Sequence, residues 1–90
     1  MSEAVDCDYS IQGSGPALFL SHGIGAAKNA WRFLLPELSK HFTVVTYDLR
    51  GHGNSPVTNK NFSLDDFVLD LEKIREKTKI ESAHFAGHSL

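Results

Sequence analysis

The sequence contains a single cysteine, Cys7, so no disulfide can close within the chain and no cysteine-based metal site can be assembled. Its five histidines, His22, His41, His52, His84 and His88, supply no set of metal ligands in this reading, and no metal is expected. No apolar run approaches the ~20 residues that cross a bilayer, so no membrane span is expected. The acidic opening Met1-Ser2-Glu3-Ala4-Val5-Asp6 lacks the apolar core of a signal peptide, and a cytoplasmic protein is the expectation. Net charge is −2, and the lysines and arginines form no basic stripe, which argues against a nucleic-acid partner. Low-complexity tracts, repeats and linkers are missing as well. The sequence is 41% hydrophobic and 22% charged, a balance that permits an ordinary packed core.

What is present alternates between strand-like and helix-like stretches. Val5, Cys7, Tyr9 and Ile11 take alternate positions from Val5 to Ile11, the pattern of a half-exposed antiparallel strand. Gln12-Gly13-Ser14-Gly15-Pro16 is a turn cluster. Ala17-Leu18-Phe19-Leu20 is apolar throughout, which predicts a central parallel strand buried on both faces. It runs into the glycine-bearing loop Ser21-His22-Gly23-Ile24-Gly25. Trp31, Leu34, Leu35 and Leu38 then recur at helical spacing, predicting a helix from about Lys28 to Lys40 that kinks or restarts at Pro36. Phe42-Thr43-Val44-Val45-Thr46-Tyr47 is β-branched and aromatic, a strand by type, and leads into a second glycine-bearing loop, Asp48 to Pro56. A second helix opens at Ser63, where Ser63 and Asp66 fit a capping pattern and Phe62 and Phe67 a hydrophobic staple. Its apolar stripe is Leu64, Phe67, Val68, Leu71 and Ile74; Asp65, Asp66, Asp70, Glu72, Lys73, Arg75 and Glu76 are expected on its solvated face. After the connector Thr78–Ser82, Ala83-His84-Phe85-Ala86 reads as a last strand ending at Gly87-His88-Ser89-Leu90. Alternating strands and helices predict an α/β fold with a mostly parallel sheet and flanking helices.

Three landmarks fall in one order along this chain. A strand ends in His22-Gly23-x-Gly25, another in Asp48-x-Arg50-Gly51-x-Gly53-x-Ser55, and a third in Gly87-x-Ser89-x, which matches four positions of the five-position nucleophile elbow. Together they resemble the N-terminal part of an α/β-hydrolase core, from about Tyr9 to Leu90, and the Asp48–Ser55 stretch looks like enol-lactone hydrolases and related small esterases. The resemblance implies that residues 1–90 are the N-terminal fragment of a single, incomplete α/β-hydrolase domain. It makes Ser89 the nucleophile and assigns the oxyanion hole to the backbone N–H groups of Ile24 and Leu90. Gly23, Gly25 and His88 would touch substrate, while Asp48 and Arg50 would fix the loop beside the elbow. The implied substrate is a small ester, thioester or lactone, with no cofactor. The acid and histidine of the triad would follow residue 90, so the ninety residues alone should hydrolyse nothing. Haloalkane- and epoxide-type members of the family carry a carboxylate where Ser89 stands.

Two other readings stay open on the residues themselves. Gly23-x-Gly25 follows a buried strand and precedes Asp48 at the end of the next, as in a Rossmann dinucleotide site, although Lys28 stands where the third fingerprint glycine belongs. A non-catalytic ligand receptor on the hydrolase fold would carry the same landmarks. The coding sequence downstream of Leu90 separates these readings. The hydrolase reading predicts glycine at the next codon, then a helix, then an acid and a histidine that each follow a strand. A bulky residue at that codon would remove the elbow, and glycine without a later histidine would favour the receptor.

Overall fold

The computed structural model describes residues 4–23, 27–56 and 64–87. Its elements, in chain order, are β1 (Tyr9–Gly13), β2 (Ala17–Ser21), a 3-10 helix (Lys28–Trp31), α1 (Leu35–Leu38), β3 (Thr43–Tyr47), α2 (Leu64–Thr78) and β4 (His84–Gly87). The four strands form one sheet in the order β1-β3-β2-β4. β1 runs antiparallel to β3, while β2 is parallel to β3 on one side and to β4 on the other. This is the predicted α/β architecture, with the apolar Ala17–Ser21 strand at the centre of the parallel part.

The first strand begins later than the alternation suggested. Pairing opens at Tyr9↔Tyr47, and one further ladder-like bond, from Asp48 N–H to Asp8 O (2.9 Å), follows before β3 turns away. Val5 to Cys7 therefore have no strand to pair with, and side chains hold this segment instead. Asp70 accepts the Val5 N–H at 2.8 Å, and Ser55 Oγ accepts the Asp8 N–H at 2.8 Å. At its other end β1 extends into the expected turn as far as Gly13. Gly13 has φ +93°, and a Cβ there would meet the carbonyl oxygens of Phe42 and Ser39, so this crossing of chains needs glycine.

The predicted Lys28–Lys40 helix divides into a four-residue 3-10 helix and a single α-turn. Pro36 lies in the first turn of α1, where its missing N–H costs nothing, but it cannot continue a helix from upstream. Phe33 and Leu34, in the break, are exposed. The expected cap at Ser63 and the staple residue Phe62 lie outside the described residues.

One face of the sheet presents Phe19, Val45 and Tyr47, which pack with Cys7 and Leu49 against Phe67 and Ile74 of α2. On the opposite face Leu20 and Val44 are also buried, and the 3-10 helix Lys28–Trp31 lies against β2 and β3. α2 ends with Lys79 at φ +60°, the Ile80 N–H returning to Arg75 O at 3.2 Å and the Lys79 N–H to Glu76 O at 3.2 Å, a Schellman-type close. Among the described residues β4 pairs with β2 alone, and its four residues are exposed, although the Phe85 ring lies 5.3 Å from that of Phe19.

The solvated face of α2 is corrected by the structure. Asp66 and Asp70 are buried, at 5% and 1% exposure, and Val68 is exposed. The inward stripe thus runs through Phe67, Asp70, Leu71 and Ile74, a regular helical spacing in which a carboxylate occupies a core position. The cause is Arg50, itself buried beneath the helix. Its Nε and Nη2 donate to the two Asp70 oxygens at 2.7 and 2.8 Å, and Nη2 also donates to Asp66 O at 3.3 Å. Removing one partner of such a pair strands a buried charge. Asp70→Ala should cost the full-length protein about 3–5 kcal/mol of unfolding free energy in a urea titration. The double variant Arg50→Met/Asp70→Leu should lose less than Asp70→Ala does. A loss below about 1 kcal/mol for Asp70→Ala would show that the pair does not anchor the helix.

Candidate active site

All three parallel strands end in one row. Ser21, the last residue of β2, is level with Tyr47, the last of β3, and with Gly87, the last of β4. Neighbouring strands lie about 4.8 Å apart, so the loops that leave these strands start within about 10 Å of one another. In open α/β sheets this carboxyl edge is where ligands bind. The row is tied laterally by a short hydrogen bond between the Ser21 and Tyr47 hydroxyls. Burial pushes the Tyr47 phenol upward, so it stays protonated as part of that link.

The loop after β2 begins with His22 and Gly23, both buried. The His22 ring is 1% exposed. Its Nε2 accepts the Leu49 N–H at 2.9 Å, which places the ring proton on Nδ1, and Nδ1–H donates to Gly23 O at 2.6 Å. The His52 ring packs over it at 5.1 Å and is held by a 3.0 Å bond between Nδ1 and Arg50 O. His22 is thus a structural residue beneath the loop.

The loop after β3 is built around Asp48, 1% exposed. One carboxylate oxygen accepts the Lys28 N–H at 2.6 Å, and the other accepts the Asn54 N–H at 3.0 Å. Gly53, at φ +48°, presses on this carboxylate so closely that an added Cβ would overlap it. Ser55 Oγ donates to Asp48 O and completes the turn. The Lys28 ammonium stands 2.9 Å from Asp8 and 3.9 Å from Asp48. This holds Asp8 below the usual carboxylate range and Lys28 above its ordinary value, each chiefly through their mutual hydrogen bond. An acid already committed to two backbone amides has little capacity left for a ribose hydroxyl, and Lys28 opens a 3-10 helix where the dinucleotide reading requires glycine.

Of the residues singled out from the sequence, Gly23 is brought to this edge. Ile24, Gly25, His88, Ser89 and Leu90 lie outside the described residues. Gly87, which precedes the last three, is the end of β4 opposite Ser21. Asp48 and Arg50 both have structural work, but in different directions: Asp48 faces the Lys28 amide and Arg50 faces α2. The sequence reading missed the Leu49–His22 bond and the Asp70 partner of Arg50. The second had a visible signal, since Asp70 falls on the apolar spacing of Phe67, Leu71 and Ile74. It also passed over the four-residue spacing of His84 and His88. His84 opens β4, and His88 lies outside the described residues. Among the described residues no group of three or more His, Cys, Asp or Glu side chains is placed to hold a metal ion, and no helix is long and apolar enough to cross a membrane. Cys7 is core, and burial, with Asp70 adding to it, pushes its thiol up to about 11, so it is no thiolate nucleophile at neutral pH.

A model of the alpha/beta hydrolase fold matches residues 16–90. The 3-oxoadipate enol-lactonase 1 of Acinetobacter baylyi is 36% identical over 77 residues, 86% of this chain and 29% of the enol-lactonase. The magnesium-chelatase 30 kDa subunit of Rhodobacter capsulatus is 40% identical over 76 residues, 83% of this chain and 27% of that protein. Among solved structures, the enol-lactonase from Burkholderia xenovorans superposes with a TM-score of 0.87 at 32% identity, covering 90% of this chain and 33% of the enzyme. The chain therefore spans about a quarter to a third of the length of the relatives it matches. With its strand order, its row of strand ends and a family match over most of its length, the chain belongs to the α/β-hydrolase family, in a neighbourhood that includes enol-lactonases and esterases.

Proposed function

We propose that these ninety residues are the N-terminal part of a serine hydrolase that cleaves a small ester, thioester or lactone through an acyl-enzyme at Ser89. The observation that carries this reading is the register Ser21↔Gly87. It sets the end of the strand leading to Ser89 beside the end of the strand leading to His22-Gly23, so the nucleophile and one oxyanion donor would rise from adjacent strands. In the proposed reaction Ser89 Oγ attacks the acyl carbon and a downstream histidine takes its proton. Negative charge on the former carbonyl oxygen is met by the N–H groups of Ile24 and Leu90, the alcohol, thiol or enol leaves, and water releases the acid from the serine. Each such donor is worth roughly 10²–10³ in rate, because a fixed amide need not reorganise as the charge develops. Gly23, Gly25 and His88 would border the acyl group. The enol-lactonase and esterase relatives support a small ester or lactone substrate.

The full-length protein should be labelled by a fluorophosphonate probe at Ser89, as read by peptide mass spectrometry. Ser89→Ala should abolish the label and lower kcat on an activated aryl ester by about 10⁴-fold or more. Labelling that survives the substitution would put the nucleophile elsewhere and defeat the assignment.

A further inference from the structure

Val5–Cys7 enters the core without the bonds that hold a strand there. Cys7 is buried and packs with Tyr47, Leu49, Phe67 and Ile74, and Val5 lies half-buried against the same cluster. Strand pairing begins only at Tyr9. The Cys7 N–H turns back to Val5 O at 3.1 Å, and the Val5 N–H donates to a side chain, Asp70 Oδ1, at 2.8 Å. Asp6 stands on the surface beside two lysines of α2, 3.1 Å from the Lys73 ammonium and hydrogen-bonded to that of Lys77. These bonds, Lys77 first, hold its carboxyl below the usual range. The next residue is fixed on three sides. The Asp8 N–H donates to Ser55 Oγ at 2.8 Å, its carbonyl accepts the Asp48 N–H at 2.9 Å, and its carboxylate meets the Lys28 ammonium at 2.9 Å.

We propose that Val5–Cys7 is a latch hinged at Asp8: it leaves the core as a unit while the sheet and α2 stay folded, and the Asp6 carboxylate between Lys73 and Lys77 is its clasp. Release breaks little. The bond from the Val5 N–H to Asp70 is lost, and one small side chain leaves the core with part of Val5. Freeing the backbone returns conformational entropy in exchange. Asp70 does not depend on the latch. Its oxygens still accept Arg50 Nε and Nη2 at 2.7 and 2.8 Å, so α2 keeps its anchor. Segments without ladder bonds open locally, below the free energy of global unfolding. The clasp is exposed to water, so it is weak and salt screens it. Opening also changes Cys7. Burial, with Asp70 adding to it, pushes the buried thiol up to about 11, and in water that constraint is gone. The latch therefore gates both access to the thiol and its thiolate fraction, and Cys7 reports its opening.

The test is the rate at which N-ethylmaleimide alkylates Cys7 in the full-length protein, read on the Cys7 peptide by mass spectrometry. Local opening exposes little surface, so below the unfolding transition the wild-type rate should stay within about twofold as urea is added. Labelling that climbs with urea in step with the global unfolding constant would overturn the latch, because Cys7 would then be reached only when the whole domain unfolds. Asp6→Lys replaces the clasp with a third positive charge. At about 20 mM salt it should raise the Cys7 rate about fivefold or more, with the urea midpoint nearly unmoved. At about 0.5 M salt the wild-type rate should rise and the gap should shrink to within about twofold. The double variant Lys73→Gln/Lys77→Gln removes the clasp from the α2 side and should speed labelling in the same direction. Unchanged rates in both variants at low salt, or a gap that high salt leaves intact, would refute the clasp.

Discussion

Arg50 and Asp70 are both buried, and neither could be so without the other. A charge moved from water into a protein interior loses several kcal/mol of hydration even after relaxation, and only a well-formed pair with its remaining hydrogen bonds filled offsets that loss. Here the guanidinium meets the carboxylate through two nitrogens, gives a further bond to Asp66 O, and leaves Asp70 Oδ1 to accept the Val5 N–H. Three parts of the chain are joined by these bonds: the segment before β1, the loop after β3, and α2. An apolar pair of similar volume could fill the same space, but it would not select one rotation of α2 over its neighbours. The directional pair does, which is why Val68 faces out and Asp70 faces in.

The end of β3 works as a junction. Asp48, Leu49 and Arg50 are consecutive, and each reaches a different element. The Asp48 carboxylate takes the first amide of the 3-10 helix, the Leu49 amide takes His22, and the Arg50 side chain takes α2. The glycines and serine that follow let this happen in a short loop. Gly53 makes room for the Asp48 carboxylate, and Ser55 turns back to Asp48 O while receiving Asp8. The loop is therefore occupied with architecture, and its polar side chains are largely committed to backbone partners. Under the proposed hydrolase reading, chemistry is left to the residues that follow β2 and β4.

The far end of the sheet is unfinished by the same physical measure. Among the described residues β4 has a partner on one side, and Phe85 remains 53% exposed although its ring lies 5.3 Å from that of Phe19. An apolar strand with a free edge is a template for further pairing. This accords with the proposal that the ninety residues belong to a longer domain, and with relatives three to four times their length.

Strand identity, the succession of strands and helices along the chain and the three glycine-bearing strand ends were legible in the sequence alone. Apolar runs, β-branched content and turn residues are local properties, and each strand carries its own. The break at Pro36 was legible for the same reason, since proline acts on its own turn. The family was legible because its landmarks are short and ordered. Other features came only with the tertiary structure. Asp70 looks like a solvated acid until Arg50, twenty positions away, is brought under the helix. Nothing in Val5–Cys7 shows that β3 will turn before it can pair with them. The occupied faces of His22 and Asp48 follow from a parallel register between β2 and β3 that no single segment encodes. Local patterns say which face of an element is apolar, whereas the partner of a buried polar group is chosen by whatever the fold places opposite it, and that is a property of the assembled sheet.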